Sequence, residues 1–148
     1  MKHLLIFLSI LFVSTPLFGQ ETGVLYLYET STGIKWETFG EKETHLKYKG
    51  DVENGKPNGL GIMIYPDGSK YIGEWKDGKM DGYGIINFSD GINYEGEWKD
   101  GTRHGEGTFT SSDGRKWVGE FKNDRVWNIT SFDSSGKVVE KWFHGKKQ

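Results

Sequence analysis

A chain of 148 residues has room for one domain. Its 19 basic and 21 acidic side chains leave a net charge of -2, which gives no global pull toward nucleic acid. The absence of cysteine excludes disulfides, thiolate metal sites, a thiol nucleophile and a lipidated cysteine.

The first predicted element is a secretory leader over residues 1–19. Lys2 supplies a positive start, and the apolar run from Leu4 to Val13 has the length of a leader core. Pro16 breaks the run before a cut expected between Gly19 and Gln20. A retained anchor helix is the other reading, but the run is short and interrupted for a membrane span. Cleavage implies an exported protein, periplasmic or extracellular. Residues 20–47 form an N-terminal β cap, with strands from Val24 to Tyr28 and Ile34 to Phe39 joined by Ser31-Thr32-Gly33.

Residues 48–116 divide into three blocks of 23, opening Tyr48-Lys49-Gly50, Tyr71-Ile72-Gly73 and Tyr94-Glu95-Gly96. Every glycine in them keeps to one of five phases, as Gly73, Gly78, Gly82, Gly84 and Gly91 do in the middle block. Composition alone does not produce this, so the blocks are structural repeats. The alternation in Tyr71-Ile72-Gly73-Glu74-Trp75-Lys76 predicts a strand, Asp77-Gly78 a turn, and Tyr83 to Phe88 the returning strand. Ser89-Asp90-Gly91, like Pro66-Asp67-Gly68, suits a type I turn closed by a left-handed glycine. Each block therefore reads as a β-hairpin, and successive hairpins are expected to pair into a continuous antiparallel meander. The pairs Gly59/Gly61, Gly82/Gly84 and Gly105/Gly107 weaken a strand, so a close approach must account for them. The expectation is a Trp75 or Trp98 ring lying flat over bare backbone.

Residues 117–148 hold a degenerate fourth repeat and a C-terminal β cap. Trp117-Val118-Gly119-Glu120-Phe121-Lys122 keeps the first-strand pattern, while Asp124 and Asn128 replace glycines and Gly136 falls one residue early. A last strand, Val138 to Phe143, precedes His144-Gly145 and a basic tail. Atypical ends of this kind protect the open edges of a repeat array.

The spacing Tyr-x-Gly-x-Trp-x-x-Gly-x-x-x-Gly-x-Gly, closed by Asp-Gly, resembles the MORN repeat (membrane occupation and recognition nexus). Tyr71 to Gly91 and Tyr94 to Gly114 match at all these positions, and Tyr48 to Gly68 at all but Val52. The resemblance covers residues 48–116 closely and 117–139 loosely. It implies an all-β, elongated, twisted single-layer antiparallel sheet, here of ten to twelve strands, with a shallow aromatic groove. It also implies a role in protein contacts, membrane association or spacing.

The residues advertise no chemistry. His45, His104 and His144 stand in no nucleophile arrangement or metal pattern, and His104 reads as a solvated turn residue. Glu74, Glu97 and Glu120 share one phase, but equivalent positions lie two strands, or ~10 Å, apart on an open sheet. That suits no glycosidase carboxyl pair held by burial. They read as a solvated charge face. No catalytic residue, cofactor or metal is expected.

Two binding readings remain. The aromatic row Tyr48, Tyr71, Trp75, Tyr94, Trp98, Trp117 and Phe121 is the candidate interaction face for a protein partner, although the same rings also read as the core. Lys137, Lys141, Lys146 and Lys147 are the candidate contacts for an anionic membrane surface. Residues 48–116 oppose that reading with nine basic against twelve acidic side chains. No basic stripe accompanies the aromatics, so nucleic acid is not an expected partner. Pairing of exposed edge strands into a homo-oligomer stays open.

Overall fold

Alternating sequence with Asx-Gly punctuation drives hairpins, and hairpins are what form. The computed structural model describes residues 21–41 and 44–148; the leader expected over residues 1–19 lies outside them. The first strands are β1 (Glu21–Thr30), β2 (Gly33–Glu37), β3 (Leu46–Glu53) and β4 (Lys56–Ile64). The middle of the array is β5 (Lys70–Lys76), β6 (Lys79–Asn87), β7 (Asn93–Lys99) and β8 (Thr102–Thr110). The last are β9 (Lys116–Lys122), β10 (Arg125–Phe132), β11 (Val138–Phe143) and β12 (Lys146–Lys147). Together they make one antiparallel sheet, ordered β12-β11-β10-β9-β8-β7-β6-β5-β4-β3-β1-β2.

From β4 onward every strand pairs with its chain neighbours. The meander breaks at the N-terminus, where β1 lies between β2 and β3. The connection from β2 to β3 therefore passes β1. Tyr28 of β1 fastens this crossover: its hydroxyl donates to the Phe39 carbonyl at 3.0 Å, and its ring lies 4.3 Å from that of His45.

Two turn types alternate along the sheet. Asn54-Gly55, Asp77-Gly78 and Asp100-Gly101 have φ of 50–51° followed by 73–84°. This is the type I′ geometry whose twist matches the flanking strands. Asn123-Asp124 adopts it without glycine, at 49° and 65°, because short polar side chains tolerate the left-handed region. At the opposite ends of the strands lie three-residue loops, as expected, with Gly68 N–H donating to Tyr65 O and Gly91 N–H to Phe88 O.

Each regular hairpin also carries a wide bulge. In β5–β6 the pairs Gly73–Gly84 and Trp75–Met80 leave Glu74 alone opposite Asp81, Gly82 and Tyr83. Asp51 likewise faces residues 58–60, and Glu97 faces residues 104–106. The excess strand presents an N–H that its partner strand does not meet, and the facing carboxylate takes it. Asp51 accepts from Leu60 N–H at 2.8 Å, Glu74 from Tyr83 at 2.9 Å and Glu97 from Glu106 at 3.2 Å. Glu74 and Glu97 are thus more than a solvated charge face: each satisfies a backbone donor that the bulge frees. His104 likewise sits in the β8 bulge, half-buried, rather than in a turn.

The core lies on one face of the sheet. Leu25, Tyr48, Met63, Tyr71, Ile86, Tyr94, Phe109 and Trp117 oppose one another strand by strand. A parallel row consists only of glycine: Gly23, Gly50, Gly61, Gly73, Gly84, Gly96, Gly107 and Gly119, each directly opposite the next. The tyrosines fill the trough this row leaves. A Cβ at Gly61, Gly84 or Gly107 would overlap the ring of Tyr48, Tyr71 or Tyr94 respectively. The ring over the second glycine of each pair is therefore tyrosine, not the tryptophan expected. Trp75 and Trp98 instead stand opposite the first glycines, Gly59 and Gly82.

Candidate functional site

Six of the seven rings read as an interaction face come together, but as a buried ladder, while Trp117 packs against Phe109 at 5.5 Å. Tyr48, Trp75, Tyr71, Trp98, Tyr94 and Phe121 succeed one another with centroids 5.2–5.4 Å apart and planes at 75–88°. This edge-to-face series sets the positive ring edge against the negative face at each step. The three tyrosines are 0% exposed, and Trp75, Trp98 and Phe121 are also buried; only Trp117 keeps partial exposure. A partner cannot touch the tyrosines of the folded sheet. The core reading holds for them because the glycine row lets each ring lie down against backbone. Trp36 reaches the ladder from edge strand β2, 6.1 Å from Tyr48 and 6.4 Å from Trp75, beside the place that Val52 leaves without a ring.

Each tyrosine hydroxyl donates to the carbonyl of the bulge-facing acid three residues on: Tyr48 to Asp51 at 2.7 Å, Tyr71 to Glu74 and Tyr94 to Glu97 at 3.0 Å. Burial pushes all three hydroxyls well above the ordinary phenol range. The nearby carboxylates Asp51 and Glu74 add to this at Tyr48 and Tyr71, while the Arg103 guanidinium opposes it at Tyr94. These are held, neutral groups. Among the described residues no cluster of His, Asp and Glu has the makings of a metal site.

The accessible surface lies on the opposite face. Val24, Lys49, Ile62, Ile72 and Ile85 form a cross-strand row there. Leu60 and Ile72 are 65% and 50% exposed. With Thr22, Val24 and Ile62 they border a groove of about 840 Å³ floored by the glycine backbone. Toward β7–β9 the face turns acidic, through Glu95, Glu97, Glu106 and Glu120. The sequence contained this signal in its second-phase isoleucines, but the tyrosines and tryptophans drew the reading to the other face.

The four tail lysines do not converge. Lys147 pairs with Glu140 at 2.5 Å, Lys141 borders a pocket with Trp142 and Phe143, and Lys137 follows the β10–β11 loop. Lys146 instead joins Lys122, Arg125, Trp127 and His144 around a separate pocket of about 790 Å³. Lys122, Arg125 and Trp127 carry no motif that marks them in the sequence, and His144 stands out there only as a histidine without catalytic or metal-binding neighbours.

A family model for the MORN repeat matches residues 48–70, 71–92 and 94–114. The chain carries three MORN repeats. They coincide with β3 to β8 and the loops between, the part of the sheet where the bulges and the tyrosine ladder are regular. MORN repeats are in general non-catalytic modules for contacts with proteins or membranes. No curated protein matches the chain.

Proposed function

We propose that this MORN-repeat protein is a non-catalytic scaffold that binds a protein partner on the outer face of β1 and β3–β5. The exposed apolar row of Leu60, Ile62 and Ile72 beside a groove in a single-layer sheet carries this reading. Contiguous apolar surface of this kind costs solubility and marks contact sites in soluble proteins. The acidic continuation of the same face repels anionic headgroups, which favours a protein over a membrane surface. With the leader read over residues 1–19, the scaffold works outside the cytoplasm, and the edge of β2, unpaired among the described residues, leaves self-association open.

The test replaces Leu60 and Ile72 together with Glu, two exposed positions whose change leaves the ladder intact. The double variant is expected to lose at least tenfold of any partner that the wild-type protein enriches, with an unchanged melting temperature. Equal recovery by both proteins would sink the outer-face reading. Sedimentation with anionic vesicles at low salt, abolished by moderate salt, would transfer the function to the membrane instead.

A further inference from the structure

Two hairpin ends of the array are neutralised by the turn that follows them. Lys79, the first residue of β6, pairs with Asp100 of the following turn at 3.2 Å. Arg103 of β8 pairs with Asp124 of the turn after it at 3.0 Å, with a second donation to the Asp124 carbonyl. In both cases an acid in the next type I′ turn holds a cation of the preceding second strand.

At the C-terminal end the cation stays and the acid is missing. Arg125 opens β10 as Lys79 opens β6. The following turn is His144-Gly145, again with both residues at positive φ, 51° and 73°. His144 occupies the first turn position, where Asp100 stands, and its imidazole offers no carboxylate to the cation. Lys122 lies directly across the hairpin from Arg125, an arrangement of like charges that destabilises a strand pair. Lys146 joins them around the pocket. Among the described residues no carboxylate lies within ion-pair distance of Lys122, Arg125 or Lys146.

The pocket also has an ordered aromatic wall. Trp127 is the residue bulged out of β10, lying between the pairs Val126–Phe121 and Asn128–Glu120. Its ring sits 5.5 Å from that of His144, with the Lys122 ammonium 4.7 Å from its centroid. The turn is pinned beneath, since Gly145 N–H donates to Trp127 O at 2.8 Å and His144 N–H to Asn128 Oδ1 at 3.0 Å.

We infer that this pocket binds a carboxylate of an acidic peptide segment, which takes the place that the turn aspartate occupies in the earlier repeats. The guanidinium of Arg125 presents a planar fork suited to a carboxylate, Lys122 and Lys146 add charge, and Trp127 offers a flat surface to the neighbouring peptide atoms. The inference rests on the protein-contact reading for the kind of partner, but on a different surface from the outer groove.

The test titrates the full protein with an acetylated, amidated hexaglutamate peptide and follows the Gly145 amide and Trp127 indole N–H by NMR. Saturable shifts at both are expected, weakening with added salt. Arg125→Gln is expected to weaken binding at least fivefold. So is His144→Asp, which restores an internal counter-ion at a backbone geometry aspartate already adopts at Asp77 and Asp100. Undiminished binding by both variants, or no saturable shift at these two probes, overturns the site. A stronger Arg125-dependent response to inorganic phosphate or to anionic vesicles overturns the acidic-peptide assignment in favour of a phosphate or a membrane ligand. The Leu60/Ile72 double variant should bind hexaglutamate normally, so failure of the outer-face reading and failure of this one register separately.

Discussion

The regular hairpins and the fourth one differ by a single residue in the bulge, and most of the local contrast follows from it. In β3–β4, β5–β6 and β7–β8 one residue faces three, an excess of two on the second strand. In β9–β10 only Trp127 is extra, an excess of one. Gly136 falls one residue early for that reason. Its loop is otherwise the regular one, with Gly136 N–H donating to Asp133 O at 2.9 Å. The smaller bulge places Ile129, not residue 130, opposite Gly119, so the glycine row ends there on a buried isoleucine. Glu120 then turns from a backbone N–H to the Asn128 side-chain amide. A repeat can thus lose its glycines and keep its hairpin, provided the bulge shrinks and an apolar side chain fills the trough.

The largest test of that contrast is alkaline pH, because only the regular repeats contain the buried tyrosines and Trp117 takes that place in the fourth. Their hydroxyls titrate higher folded than unfolded, so the native state holds protons that the unfolded chain releases. Stability from this source is complete below pH ~10 and is lost as pH rises from there toward the folded values. Unfolding should therefore release protons above pH ~10 from Tyr48, Tyr71 and Tyr94, together with Tyr65 and Tyr83, whose hydroxyls are also raised, and Tyr71→Phe with Tyr94→Phe should lower that release by about two. A pH-independent denaturation midpoint between pH 9 and 11.5 would contradict the burial.

Substitution within the glycine row comes next. Gly84→Ala drives a Cβ into the Tyr71 ring, with an expected loss of roughly 3 kcal/mol in urea unfolding. Gly136→Ala meets no atom within 4 Å and strains only a left-handed backbone, so about 1 kcal/mol is expected. Equal losses would mean that conformation rather than close approach maintains the row. The smallest effect belongs to the bulge acids. Glu97→Ala frees the exposed Glu106 N–H to solvent and should cost about 0.5–1 kcal/mol. Faster hydrogen exchange at Glu106 alone is its signature, and Glu120→Ala should leave the corresponding backbone amide unchanged.

The repeat period, the hairpin turns and the strand content were legible in the sequence because they are local properties. Asx-Gly pairs demand positive φ, and alternation demands unlike faces. The decayed positions were legible in part: of the two residues that replace glycines, Asp124 takes left-handed geometry at φ 65°, whereas Asn128 does not and its side-chain amide donates to Glu120 instead. The functional surface was less so. Tyr48, Tyr71 and Tyr94 are as aromatic in a contact face as in a core, and sequence spacing does not say whether a ring lies down or stands up.

By itself, then, the sequence determined a tandem hairpin array with its turns, because each turn depends on two or three neighbouring residues. Only the tertiary structure decided which glycines face one another across eight strands, and therefore that the tyrosines sink between them while Leu60 and Ile72 stay in solvent. It alone set Arg125 beside His144 without a carboxylate, for register between strands is a sum over the whole sheet that no single segment contains.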